Sequence, residues 1–110
     1  MHDIRLSPPL HPGTPLWQRA PTRDEYGGAL SDFVMILPAL KNSSQSRIRN
    51  VVDTLADILD RYKSVVVFAD YNMRLHTLWV SVRPVPGICL ELPAIINHHI
   101  PEARLINQRA

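Results

Sequence analysis

The chain has 110 residues, 45% hydrophobic and 20% charged, with a formal net charge of +2. This composition fits one globular domain, and so small a positive charge does not argue for nucleic acid. A single cysteine, Cys89, excludes an intramolecular disulfide and a multi-cysteine zinc site.

Residues 1–28 read as a leader containing Pro8, Pro9, Pro12, Pro15 and Pro21, followed by Gly27-Gly28. Proline removes backbone donors and blocks both helix and central strand, so this segment is expected to be extended. Leu10, Leu16 and Trp17 could pin it across the domain or across a neighbouring subunit. Met1–Leu10 has no apolar h-region, and no apolar run approaches the roughly 20 residues that span a bilayer. The expectation is a cytoplasmic protein with no membrane segment, folded over residues 29–110.

Ala29–Leu37 predicts the first strand, with Phe33-Val34-Met35-Ile36-Leu37 as a continuous apolar run stopped by Pro38. Residues 44–62 predict a helix. Ile48, Val51, Val52, Leu55, Ile58, Leu59 and Tyr62 recur at the spacing of one apolar stripe, and Asn42, Ser43 and Ser44 offer N-caps. Ser64–Asp70 predicts a second strand and Arg74–Val82 a third, joined by a turn at Asp70–Met73. Pro84 and Pro86-Gly87 then punctuate the chain. Ile88, Leu92, Ile95, Ile96 and His99 fall at helical spacing, and Pro93 among them predicts a kinked helix over 87–99. The alternative is an extended stretch through Leu92 and a short helix over 93–99. Ala103–Asn107 completes the order as a short strand.

The order β-α-β-β-α-β predicts an α+β two-layer sandwich: a four-stranded antiparallel sheet, two helices and a proline-rich N-terminal extension. It resembles the ferredoxin-like fold over residues 30–107, with element lengths similar to ACT-type ligand-binding domains and dimeric α/β-barrel proteins. The resemblance is one of architecture and carries no functional residue with it.

Alternation divides each strand into two faces. In the third strand His76, Leu78, Val80 and Val82 should face the helices, leaving Trp79 on the open side. In the second strand Val66 and Phe68 share one face, and Val65, Val67 and Ala69 the other. Two helices cover only one face of such a sheet. The other is expected to be covered by a second subunit, as a two-fold homodimer, or by the leader.

Chemistry-bearing residues are sparse. Lys41, Ser43, Ser44, Arg47 and Arg49 surround the start of the long helix, whose first turn holds no acid. Helix N-terminal N–H groups and cations suit a small phosphate or carboxylate, while a plain Ser cap beside solvated arginines explains the same residues. Arg74, His76, Trp79 and Tyr71 form an alternative set for a small enzyme with its site between the open sheet face and its cover. His98 and His99 are adjacent and poorly placed to chelate one metal. Cys89 sits near a helix start but on an apolar segment, as a small core residue would. Asp53 and Asp57 lie on the polar helix face, and Asp24-Glu25 in the leader. The aromatic and glycine signature of sheet-bound RNA is missing from the third strand. No motif calls for a metal or a cofactor. The sequence therefore points to a non-catalytic domain that dimerises through its sheet and takes a small anionic metabolite, with the sheet-face enzyme as the alternative.

Overall fold

The computed structural model describes residues 5–7 and 21–109. Ile48, Val51, Leu55, Ile58 and Leu59 recur every three or four residues and form the buried stripe of α1, Gln45–Arg61. The second helix, α2, runs Ile88–His99 and buries Ile88, Cys89, Leu92, Pro93 and Ile96. It continues through Pro93, as the longer of the two predicted helices required. Gly87 caps it at φ +78°, a left-handed conformation in which side chains are strained.

The strands are β1 (Arg5–Ser7), β2 (Ser31–Ile36), β3 (Val66–Asn72), β4 (Thr77–Val82) and β5 (Arg104–Arg109). Four of them form an open antiparallel sheet in the order β3-β4-β2-β5. β1 adds a fifth strand at the β3 edge, parallel to it, with Arg5 opposite Asp70 and Ser7 opposite Asn72. The predicted sheet did not include this strand. Three residues are too few to show a period, and only the exposed edge of β3 gives them a partner. The remaining expectations for the leader lie outside the described residues, apart from its end at 21–28.

Both helices pack on one side of the sheet. Phe33, Met35, Tyr71, Leu78, Val80 and Val82 share a single buried cluster with Leu55, Leu59, Leu92 and Ile96. Each such side chain, removed from water, contributes about 1.5–3 kcal/mol. Register places the opposite set, Val34, Phe68 and Trp79, on the helix-free face, where sequence alternation put Trp79. The second strand departs from prediction. Val66 lies in the core cluster, whereas Phe68 is buried outside it. A bulge between them shifts the register, so two residues expected on one face are divided between both.

The β3–β4 turn also falls later than predicted. The Asn72 side chain accepts the N–H groups of Arg74 and Leu75, both at 2.9 Å, and its carbonyl accepts that of His76 at 2.8 Å. His76 closes the turn at φ +52° and its carbonyl accepts the N–H of Leu37 at 2.8 Å. That bond holds the 3-10 turn Pro38–Asn42, which leads into α1. At the other end of β4, Arg83 pairs with Asp24 and Glu25 at 3.0 Å each, fastening the 21–30 loop to the sheet.

Candidate functional site

The start of α1 uses its polar groups internally. Ser44 is the N-cap, its hydroxyl accepting the Arg47 N–H at 3.2 Å. Ser43 donates to the Ala39 carbonyl at 3.2 Å. The Arg47 guanidinium donates to the carboxylate of Glu102, in the turn that follows α2. Glu102 is held below the usual carboxylate range by its own backbone N–H and then by Arg47. Lys41 and Arg49 are exposed. Arg47 and Arg49 line different grooves, one with Asn50 and His99, the other with Ile48 and Met73. Thus Ser43, Ser44 and Arg47 act here as caps and ties, and the two arginines do not converge.

The sheet-face set is divided as well. The Tyr71 hydroxyl and His76 Nδ1 share a buried hydrogen bond of 2.8 Å. Burial pushes the Tyr71 phenol far above its ordinary range. Burial, with the charge of Lys41 second, lowers the His76 imidazole below its ordinary 6.5. Tyr71 belongs to the helix-side core, while its sequence neighbour Asp70 lies opposite Trp79 on the other face. Arg74 stands exposed in the turn. Trp79 and the Tyr71–His76 pair are therefore separated by the sheet itself.

Other titratable groups are unremarkable or closed. Among the described residues, no group of three or more His, Cys, Asp or Glu is placed to hold a metal ion. His98 and His99 are exposed, their rings meeting edge to face at 5.3 Å. Burial, and then Asp32, raises the Cys89 thiol above its usual range, and Sγ approaches the Asp32 carbonyl at 3.7 Å. A thiol kept protonated in this way is a poor nucleophile.

Two further surfaces stand out among the described residues. On the helix-free face, Val34, Ile36 and Trp79 are half-buried and lie outside the core cluster. Beside them Asp32 is paired with Arg109, and the buried Trp79 Nε1 and Ser81 Oγ have no hydrogen-bond partner. The other surface is a cleft of about 550 Å³ at the start of α2, bordered by Ser31, Gln108, Cys89, Val85, Pro86 and Leu90. Sequence reasoning missed Ser31 and Gln108. Ser31 reads as an ordinary strand residue, and Gln108 falls one position beyond the predicted last strand. No local signal joins two residues so far apart. Comparison with protein-family models, curated proteins and solved structures finds no match to this chain.

Proposed function

We propose that the chain is a ferredoxin-like, non-catalytic interaction domain that forms a two-fold homodimer through the helix-free face of its sheet. The fold assignment is supported by the order β5-β2-β4-β3, which is fourth, first, third, second within the β-α-β-β-α-β unit. The observation that carries the dimer is the group Val34, Ile36 and Trp79, half-buried on a face that neither helix covers. Apolar groups rimmed by polar ones, here Arg104, Asn107 and Arg109 of β5, mark interaction surfaces. A second copy supplies the same surface in return, the commonest way to close an assembly. No helix among the described residues is long and apolar enough to cross a membrane. The free thiol of Cys89 suits a reducing compartment, so the reading assigns the protein to the cytoplasm.

Sedimentation equilibrium tests the proposal. The chain is expected to sediment as a dimer at micromolar concentration. Ile36→Lys, at a half-exposed position, is expected to weaken dimerisation by at least about thirtyfold with an unchanged circular dichroism spectrum. A monomer throughout the micromolar range, or a dimer indifferent to Ile36→Lys, overturns the reading.

A further inference from the structure

The cleft at the start of α2 lies on the helix side of the sheet, apart from the dimer surface proposed above. The polar groups that the described residues bring to it are uncharged. Ser31 borders the cleft and is only 4% exposed, and no hydrogen bond of its hydroxyl is formed among the described residues. Ser31 shares the helix-facing side of β2 with Phe33, the residue that Gln108 of β5 faces across the strand pair. Within α2, the N–H groups of Ile88, Leu90 and Glu91 reach the carbonyls of Val85 and Gly87. That of Cys89 meets no acceptor among the described residues. Gly87 offers no capping side chain, and a Cβ there would meet nothing within 4 Å, so the helix end stays open.

We propose that this cleft binds a small monocarboxylate with a short apolar body, its carboxylate held by the Ser31 hydroxyl, the Cys89 N–H and the Gln108 amide. The positive end of a twelve-residue helix favours a negative group at this point. Among the described residues, no acidic side chain borders the cleft. Asp32 is turned to the opposite face by Arg109, and Glu91 lies within 3.5 Å of the Tyr62 hydroxyl. No Lys or Arg borders it either, which suits a singly charged carboxylate better than a phosphate dianion. Val85 and Leu90, 44% and 61% exposed, supply an apolar rim with Pro86 for the body of the ligand. The volume is within the range of small-molecule sites.

Hexanoate is the probe, with hexanamide as its uncharged isostere, followed by amide-resolved NMR on the full chain. Hexanoate is expected to shift the Ser31, Cys89 and Leu90 amides saturably and to bind about tenfold more tightly than hexanamide. Ser31→Ala is expected to lose about the same tenfold. Leu90→Glu, on the exposed rim and so without effect on folding, is also expected to weaken hexanoate. No saturable shift at Cys89 up to about 20 mM, equal binding of both probes, or indifference to both substitutions would each overturn the proposal.

Discussion

The two helices begin in opposite ways. α1 starts with hydroxyls, an amide and arginines, the residue types that advertise an anion site, and these groups are largely engaged: Ser44 with Arg47, Ser43 with Ala39, Arg47 with Glu102. α2 starts with Gly87, Ile88 and Cys89, which advertise nothing, and borders the larger cleft with an unpaired hydroxyl beside it. The contrast teaches that binding capacity depends on which polar groups lack internal partners. Residue type alone does not report this.

The sharpest test of the comparison is the apolar anchor at each start, Ile48 in α1 and Ile88 in α2, both buried. Ile88→Ala and Ile48→Ala are each expected to destabilise the fold by about 2–4 kcal/mol in urea unfolding, with Ile48 at the lower end. Near-zero loss at Ile48 would make the α1 start a loose loop and break the comparison.

Next is acid sensitivity. The link from His76 to Leu37 supports the approach to α1, and the folded state lowers the His76 imidazole below 6.5. Below pH 6.5 the unfolded chain therefore binds more protons than the folded one. This contribution is complete above that pH and is lost as pH falls through the window beneath it. His76→Asn, which tolerates the positive φ, is expected to flatten the slope. It should also cost about 1–3 kcal/mol by leaving the Tyr71 hydroxyl unpaired. Thermal melts at pH 8 and pH 5 read both effects, and an unchanged slope in the variant would assign it elsewhere.

The smallest effects compare the caps directly. Gly87→Ala is expected to cost about 1–2 kcal/mol through left-handed strain, and Ser44→Ala about 1 kcal/mol through loss of a cap. Arg47→Ala should cost less than about 1 kcal/mol, and still less at high salt, because its pair with Glu102 is partly solvated. Equilibrium unfolding at two ionic strengths separates the three, and a larger loss at Arg47 than at Ser44 would reverse their order.

Much of the frame was legible in the residues themselves. The α1 stripe has an unmistakable helical period, and Leu78, Val80 and Val82 alternate with Trp79 clearly enough to assign the faces of β4. β3 was misread at one point, because strict alternation fails at the Val66–Phe68 bulge and both residues are equally apolar. The turn moved because it is closed between Asn72 and His76 rather than across Asp70–Met73. The α1 residues stood out in the sequence as a group of hydroxyls and cations. Their engagement was not legible, because the partner of Arg47 lies 55 positions away.

Sequence alone determined the order of the elements from β2 onward and the helix-facing set of β4. Those properties follow from local period and from where proline and glycine interrupt it, and each needs only neighbours within a few residues. Tertiary structure alone decided the parallel pairing of β1, the bulge in β3, the closure of the α1 start by Glu102 and the cleft between Ser31, Gln108 and α2. Each joins residues distant along the chain, so its free energy is set by packing and register that no single segment encodes.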